Sequence, residues 1–271
     1  MSDTWRETNR RLWDELASIH PGTAFYGIDR FKAGQDALLP IELAEMGDVA
    51  GKSLLHLQCH IGLDTLNWAR KGARVTGLDF SGEAVRQARK LAAETGLAGE
   101  FVEADVYDAR AAIKGQFDIV YVSWGALIWL PDLKRWAEIV ASLLAPGGFL
   151  YLLEGHPAAM MLDQKDKDSP IAVSLPYFKT DGPLIFKSDK TYAGEDIRIK
   201  NETSMEWVHP LSEIVMSVIE AGLTLEFLHE HDRLAWQLFP CLTKGEDGMF
   251  HPPPGHPPMP LAYSLRARRH A

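Results

Sequence analysis

Four residues that could contact a ligand lie in one short turn between two apolar runs. The turn follows the strand-like run Ser53–Leu57, and a second run over residues 74–78 leads to Asp79. In an open parallel sheet, ligands bind at the carboxyl ends of the strands, and an acidic residue about 20 positions after such a turn accepts the hydroxyls of a ribose. The pattern therefore predicts a site for an adenosine-like ligand. The turn residues are Gln58, Cys59, His60 and Gly62.

Helix and strand patterns alternate from this turn through residue 155. Ser81 is a good N-cap for a helix over residues 83–95, and a second helix is predicted over residues 132–144. Strands that alternate with helices favour a parallel sheet, whose carboxyl edge collects the polar residues that follow each strand. The predicted strands cover residues 53–57, 74–78, 100–103, 117–122 and 149–153.

Five motifs occur in fixed order across residues 50–155: LLHLQCHIG, VTGLDFS, FVEADVYD, FDIVYVSWGALIWLPDL and LLAPGGFLYLLE. Together they resemble the class I S-adenosylmethionine-dependent methyltransferases. The resemblance implies an α/β, Rossmann-like doubly wound sheet of seven strands with an antiparallel last strand. It also implies an N-terminal helical lid and an antiparallel β insert after strand 5. The implied cofactor is S-adenosyl-L-methionine, with S-adenosyl-L-homocysteine as product.

The same resemblance assigns the cofactor contacts to residues at the strand ends. Asp79 would bind the ribose, Asp105 and Val106 the adenine, and the turn the methionine portion. Trp124 would stack on the adenine or contact the sulfonium through its ring, and packing against the neighbouring helix is the alternative. The implied cofactor contacts are Gln58, Cys59, His60, Gly62, Asp79, Phe80, Ser81, Asp105, Val106, Ser123 and Trp124.

The turn departs from the pattern acid-x-Gly-x-Gly-x-Gly that this family usually has. His56, Gln58 and His60 replace the acid and the first two glycines, and Gly62 is kept. Glycine lets a ligand approach the backbone closely, so the larger side chains would narrow that approach or supply contacts in its place. Two hypotheses remain: a variant loop that still holds the cofactor, or a fold that has lost it. His56 is either an interior imidazole or a ligand contact.

The chain divides into an N-terminal helical cap over residues 1–50 and a methyltransferase domain over residues 51–271. Apolar spacing predicts an amphipathic helix over residues 4–19, and a second helix is predicted over residues 35–45. A substrate-pocket insert covers about residues 155–209, and the alternation over residues 192–207 predicts an antiparallel strand or hairpin there.

Residues beyond the fifth strand are the candidates for the methyl acceptor. A base is needed only if the nucleophile arrives protonated, and His156 and His209 are the candidates for that role. For both, orienting a loop or capping a helix is the alternative. The predicted acceptor contacts are Tyr26, Glu154, Tyr177, Trp207 and His231.

Composition limits the remaining classes of function. The net charge of −9 argues against binding to nucleic acid or to an anionic membrane. The chain has two cysteines, so neither a disulfide framework nor a paired-cysteine metal site is expected. The N-terminus lacks an apolar signal core, which predicts a cytoplasmic protein. The resemblance to methyltransferases implies a small-molecule substrate.

Two other classes of function stay open. An altered loop also fits a non-catalytic S-adenosylmethionine-binding or regulatory protein on a methyltransferase scaffold. A nicotinamide-dependent oxidoreductase uses the same loop and helix arrangement, but the ordered motifs and the antiparallel last strand favour methyl transfer.

Overall fold

The computed structural model of the protein describes residues 4–193 and 197–270. The helices of this part of the chain are α1 (Thr4–Ile19), α2 (Ile28–Lys32), α3 (Pro40–Met46), α4 (Leu63–Arg70), α5 (Gly82–Thr95), α6 (Ala109–Ala112), α7 (Leu133–Leu143), α8 (Pro157–Met160) and α9 (Leu211–Glu220). The strands are β1 (Ser53–Leu57), β2 (Arg74–Asp79), β3 (Glu100–Glu103), β4 (Phe117–Ser123), β5 (Leu144–Gly155), β6 (Leu162–Asp163), β7 (Ala172–Val173), β8 (Leu184–Lys187), β9 (Thr203–Glu206), β10 (Leu223–His231), β11 (Thr243–Lys244), β12 (Phe250–His251) and β13 (Ala262–Arg269).

A seven-stranded sheet in the order β10–β13–β5–β4–β1–β2–β3 forms the centre of the fold. The five strands from β5 to β3 in that order run parallel, and β13 lies antiparallel between β5 and β10. The seven-stranded sheet with an antiparallel last strand is therefore confirmed. Strands β1 and β4 are neighbours, but the chain leaves β1 towards β2 on one side and leaves β4 towards β5 on the other. The loops after β1 and β4 therefore diverge and leave a crevice at the carboxyl edge of the sheet.

Side-chain alternation along the strands gives the sheet two apolar faces. On one face, Leu57 and Val122 belong to a core that includes the fully buried Trp136 of α7. On the other face, Leu54 and Tyr121 belong to a core that includes the buried Trp68 of α4. Because the strands are apolar on both faces, both faces of this largely parallel sheet must be covered by helices.

Of the two helices predicted at the N-terminus, α1 has the predicted bounds and the second begins later than predicted. The helix predicted over residues 35–45 begins at Pro40, so its predicted start was wrong. Proline has its ring-fixed φ suited to the first helical turn, and it keeps the preceding residue extended, as Leu39 is here. The short helix α2 lies before it, with Gly27 at its start.

Residues after β5 form short antiparallel pairs. Strands β8 and β9 pair from Leu184 with Glu206 to Lys187 with Thr203. The strand predicted over residues 192–207 is therefore confined to β9, and residues 194–196 lie outside the described part of the chain. The pair β6–β7 precedes this hairpin, and the pair β11–β12 belongs to the connector before β13.

Residues 4–193 and 197–270 contain neither a membrane-spanning helix nor a metal-binding cluster. No helix there has the length and apolar character to cross a bilayer. No group of three or more His, Cys, Asp or Glu side chains in those residues is arranged to hold a metal ion.

Helix α1 is joined to β9 by a reciprocal pair of hydrogen bonds. Asn9 is fully buried; its Nδ2 donates to the Met205 carbonyl at 2.8 Å, and the Met205 amide donates to Asn9 Oδ1 at 2.9 Å. We expect Asn9→Ala to lower the free energy of unfolding by about 1–3 kcal/mol, because both backbone groups lose a buried partner. Urea denaturation measures this.

The matched control on the same helix is Ser18→Ala. Ser18 is exposed, and its hydroxyl bonds only the Glu15 carbonyl of the same helix. Its effect should stay within about 0.5 kcal/mol. Equal effects of the two substitutions would contradict the docking role of Asn9.

Candidate functional site

The loop after β1 has a left-handed backbone at three positions. The φ angles are 58° at Gln58, 48° at His60 and 72° at Gly62. Non-glycine residues occupy this region rarely, and it costs of the order of 1–3 kcal/mol, so such residues mark functional sites. The loop therefore keeps the conformation that suits glycine although two larger side chains occupy it.

Side-chain contacts hold this strained loop in place. Gln58 Nε2 donates to the Ala126 carbonyl at 2.8 Å, which ties the loop to the segment after β4. The Cys59 side chain is buried among core residues, with Ile61 in the same cluster. A Cβ on Gly62 would lie 2.7 Å from both Ala88 and the Phe101 ring, so only glycine fits this position.

Asp79 joins the end of β2 to the loop. Its Oδ2 accepts the His60 amide at 2.8 Å and its Oδ1 accepts the Ser81 amide at 2.9 Å. The carboxyl is 6% exposed, and burial raises its pKa to about 6. Ser81 caps α5 through a bond from the Ala84 amide, as the sequence predicted, and Phe80 beside it is partly exposed.

Helix α1 lies across the positions predicted for adenine and ribose. Arg6 Nε is 2.7 Å from Asp105 Oδ2, whose second oxygen accepts the Tyr107 amide, and Val106 is buried. Asp14 Oδ1 accepts the Ser81 hydroxyl at 2.6 Å. A ligand at these positions must therefore compete with α1.

Aromatic and imidazole rings cover the loop from the same side. Trp13 meets the His60 ring edge-on at 5.1 Å, and His20 Nδ1 lies 2.8 Å from His60 Nε2. Tyr26 stacks on His20, and its hydroxyl bonds that of Tyr192 at 2.5 Å. The predicted acceptor residue Tyr26 thus lies in the cover of the loop.

The segment after β4 is shaped by a buried carboxylate. Glu154 Oε2 accepts the Gly125 amide at 2.5 Å, and Oε1 accepts the amides of Ala126 at 2.6 Å and Leu127 at 2.9 Å. Trp124, with φ of 47°, precedes this segment and meets Trp236 edge-on. Glu154 was predicted to contact the acceptor, but both of its carboxylate oxygens accept hydrogen bonds from backbone amides.

Two carboxyls that the sequence did not single out, one buried and one partly exposed, lie beside the end of β4. Glu42 of α3 is 1% exposed and accepts bonds from the Tyr121 hydroxyl and, at 2.8 Å, the Leu39 amide. Asp64 of α4 accepts the Ser123 hydroxyl at 3.4 Å. Burial and the Asp64 charge raise the pKa of Glu42 to about 8, and burial raises that of Asp64 to about 6.

Only one of these carboxyls left a signal in the sequence. Asp64 follows Gly62 in the first turn of a helix, where a ligand approaches the loop. Glu42 stands in a short helix outside the motifs, and only tertiary packing brings it to β4. Among the described residues, neither carboxyl forms an ion pair with an arginine, lysine or histidine.

The predicted catalytic histidines both have engaged rings. His156 Nδ1 accepts the Ala158 amide and caps α8, and its Nε2 lies 3.0 Å from Glu230. His209 Nε2 lies 2.7 Å from the Leu130 carbonyl, so it must carry the proton, and its Nδ1 lies 3.3 Å from Glu213. Burial lowers the pKa of both rings.

The predicted acceptor residues do not form one cluster. A cavity of about 80 Å³ beyond β5 is lined by Glu154, Trp207 and His209 among others. Tyr177 lies beside α9, where its hydroxyl accepts the Leu211 amide at 3.4 Å. His231 lies at the end of β10 and bonds the Ser264 hydroxyl at 2.9 Å.

Buried polar atoms without a partner mark the loop as a place for a ligand. Within the described residues, Gln58 Oε1, His60 Nδ1 and Trp124 Nε1 are buried and have no hydrogen-bond partner. Buried polar groups are nearly always paired in folded proteins. A ligand with both donors and acceptors at this edge would satisfy all three.

Because Glu42 binds its proton more tightly in the folded protein than in the unfolded chain, stability depends on pH. The contribution is complete below pH 4.5 and is lost as the pH rises towards 8. We expect the free energy of unfolding to fall less between pH 5 and pH 8 in Glu42→Gln than in the wild type. Urea denaturation across this range measures it; Glu138→Gln, on the exposed face of α7, should match the wild-type slope. Equal slopes for Glu42→Gln and the wild type would refute the assignment.

Comparisons with known proteins agree with this geometry. Residues 54–148 match the family model described as a methyltransferase domain. Ubiquinone biosynthesis O-methyltransferase of Xanthomonas euvesicatoria is 36% identical over 131 residues, which cover 46% of this chain and 54% of that protein. The enzyme of the same name from Escherichia coli O7:K1 is 34% identical over 105 residues, covering 39% and 43%. The chain thus spans about half the length of the curated relatives it matches.

Solved structures extend the likeness in fold. An S-adenosylmethionine-dependent methyltransferase from Mesorhizobium loti matches with a TM-score of 0.60 and 21% identity, over 85% of this chain and 96% of that one. A protein of the same description from Listeria monocytogenes, there called putative, matches with a TM-score of 0.58 and 15% identity, over 85% and 97%. Residues 54–148 therefore match a methyltransferase domain, and the likeness to these two structures shows a shared fold.

Proposed function

We propose that the protein transfers a methyl group from S-adenosylmethionine to a small-molecule acceptor. The observation that carries the proposal is the loop after β1, which keeps the left-handed backbone at Gln58 and His60 and is bonded to Asp79. A loop released from cofactor binding would have no reason to retain this strain. The variant loop is thus favoured over a lost site.

The residues at the carboxyl edge fit the cofactor. Asp79 would accept the ribose hydroxyls, Asp105 and Val106 would contact the adenine, and the unpaired atoms of Gln58 and His60 would meet the methionine portion. Arg6 must leave Asp105 when the cofactor enters, so α1 acts as a lid.

We also propose that Asp64 and Glu42 supply the negative charge that the family places at the position of His56. The two carboxyls lie at the end of β4, next to the loop, whereas burial lowers the pKa of His56 to about 3 and keeps it neutral. The methionine ammonium would ionise both carboxyls, because an opposite charge nearby favours the charged form of each.

When bound, the cofactor supplies an electrophilic methyl group on a sulfonium. The chain then has to align an acceptor and exclude water, which together account for much of the rate in such displacements. Glu154 fixes the segment between the loop and the 80 Å³ cavity, so that both keep one relative position. His209 lines this cavity, but its Nε2 bonds the Leu130 carbonyl and its Nδ1 lies beside Glu213, so its ring is engaged like that of His156.

A non-catalytic binding protein is the second candidate, favoured by the contacts of α1 with Ser81 and Asp105. Those contacts occupy the positions predicted for cofactor. Tight binding of S-adenosylmethionine without methyl transfer to any acceptor would favour this alternative.

Asp79→Ala should weaken binding of S-adenosylhomocysteine at least about 10-fold, because a hydrogen bond to a charged group contributes about 1.5–3 kcal/mol. Calorimetric titration measures the affinity. Asp108→Ala removes an exposed carboxylate in the same region and should leave the affinity unchanged. Unchanged affinity in Asp79→Ala would refute the ribose assignment.

Asp64→Asn should weaken binding of S-adenosylhomocysteine by about 10-fold through the lost charge. Binding of 5′-methylthioadenosine, which has no ammonium group, should change by less than about 2-fold, since a structural defect would weaken both ligands. Calorimetry with the two ligands measures the difference. If both affinities fall together, Asp64 supports the fold of the loop and does not bind the ammonium.

A further inference from the structure

The cavity beyond β5 has an apolar lining. It lies between the segment after β4, helix α8, the hairpin β8–β9 and helix α9, and its apolar lining residues include Leu127, Met160, Phe186, Trp207 and Ile214. The Trp207 amide donates to the Ile128 carbonyl at 2.7 Å, which joins the hairpin side of the cavity to the β4 side. At its rim Pro176 is exposed, so the cavity opens to the surface there.

Four polar side chains line this cavity, and two of them are already satisfied. Glu154 has both oxygens bonded to backbone amides, and His209 has both ring nitrogens beside acceptors. Neither side chain can take a further partner without losing one that holds the fold. Glu206 and Tyr263 are the remaining two.

Tyr263 of β13 has an unused hydroxyl. The residue is 1% exposed, and its hydroxyl is buried without a hydrogen-bond partner among the described residues. A buried hydroxyl without a partner destabilises a folded protein, whereas phenylalanine would pack in the same space without that cost. Retention of the hydroxyl therefore points to a partner that the protein binds.

Glu206 of β9 adds an acceptor to the same cavity. Its Oε1 accepts the Ser204 hydroxyl at 2.7 Å, and no arginine, lysine or histidine of the described residues forms an ion pair with it. Burial raises its pKa. The second oxygen is thus open to a donor from a ligand.

We propose that Tyr263 and Glu206 select an acceptor whose reacting end is an apolar group bearing a hydroxyl. A hydroxyl accepts one hydrogen bond from the Tyr263 phenol and donates one to the Glu206 carboxyl. An ammonium has no lone pair with which to accept the phenol proton. The two residues determine specificity, and the proposal rests on methyl transfer as the function of the neighbouring loop.

The size of the cavity sets how much of the acceptor enters. Its volume of about 80 Å³ is roughly half that of the ~150 Å³ cavity known to hold benzene. The reacting end of the molecule therefore enters, and the remainder extends past Pro176.

One backbone segment contacts both this cavity and the cofactor loop. The Ala126 carbonyl accepts Gln58 Nε2 from the loop, and the Ala126 amide bonds Glu154 of the cavity wall. Leu127, the next residue, lines the cavity. The cavity therefore adjoins the segment that holds the strained loop.

The test compares 4-methylphenol with toluene, which has the same ring without the hydroxyl. Dissociation constants are measured by ligand-observed NMR on the full chain, with and without S-adenosylhomocysteine. We expect the wild type to bind 4-methylphenol at least about 5-fold more tightly than toluene. Tyr263→Phe and Glu206→Gln should each reduce that ratio to below about 2, with the affinity for toluene unchanged.

Thermal unfolding of the same variants distinguishes binding from a structural role. Tyr263→Phe should unfold at the same or a higher temperature, because it removes an unpaired buried hydroxyl. The matched control is Tyr107→Phe, whose hydroxyl bonds the Asp132 amide and carbonyl; it should unfold at a lower temperature and keep the wild-type ratio. A lower unfolding temperature for Tyr263→Phe would overturn the proposal.

The outcomes separate this proposal from the proposed function. A wild-type ratio near 1, or tighter binding of 4-methylbenzylamine than of 4-methylphenol, would refute the hydroxyl site even if S-adenosylhomocysteine binds. Selective binding of 4-methylphenol without binding of S-adenosylhomocysteine would retain the hydroxyl site and refute methyl transfer.

Discussion

The bond between the Asp79 carboxylate and the His60 amide fixes the geometry on which the rest of the site depends. It joins the end of β2 to a loop whose backbone is left-handed at two non-glycine residues. It holds the His60 amide, while Gln58 is held by its own bond to the Ala126 carbonyl. The strain is thus held by a buried charged acceptor that also faces the predicted ribose position.

The carboxyls of Glu154, Asp64 and Glu206, whose pKa is raised by desolvation, fall into two groups with different consequences. Glu154 is saturated by backbone amides, so it shapes the segment between loop and cavity and has no capacity left for a ligand. Asp64 and Glu206 each accept a single side-chain hydroxyl and have no cationic partner in the described part of the chain. Burial of an incompletely paired carboxyl is unfavourable, and its persistence is typical of binding sites.

Access of a ligand to the site depends on the N-terminal helix α1. Arg6, Trp13 and Asp14 contact Asp105, His60 and Ser81 in turn, so one helix covers the positions predicted for adenine, methionine and ribose together. Each contact is polar or aromatic and partly exposed, and such contacts exchange for ligand contacts at modest cost. By contrast, Asn9 is buried and its bonds to Met205 join the same helix to β9. Asn9 lies between Arg6 and Trp13, so this pair holds the middle of α1.

The sequence alone determined the sheet, its order of elements and the place of the loop. Runs such as Ser53–Leu57 and the cap at Ser81 are local signals, and the spacing to Asp79 follows from the βαβ unit itself. The predicted start of α3 was wrong because the apolar pattern continues on the N-terminal side of Pro40. The backbone constraint of proline decides where the helix begins. Helix caps and strands depend on neighbours in the chain, and this is why they were readable.

Tertiary structure decided which polar groups are free. Glu154, His156 and His209 stand at the predicted places, yet their partners are backbone groups or carboxyls from segments distant in sequence. Glu42 and Tyr263 gave no local signal, because their position in the site comes from packing across the sheet. Whether a polar side chain has all its hydrogen bonds satisfied depends on its neighbours in three dimensions. The sequence therefore predicted which edge of the sheet carries the candidate site. Only the fold distinguished the side chains that hold the structure from those left to bind a ligand.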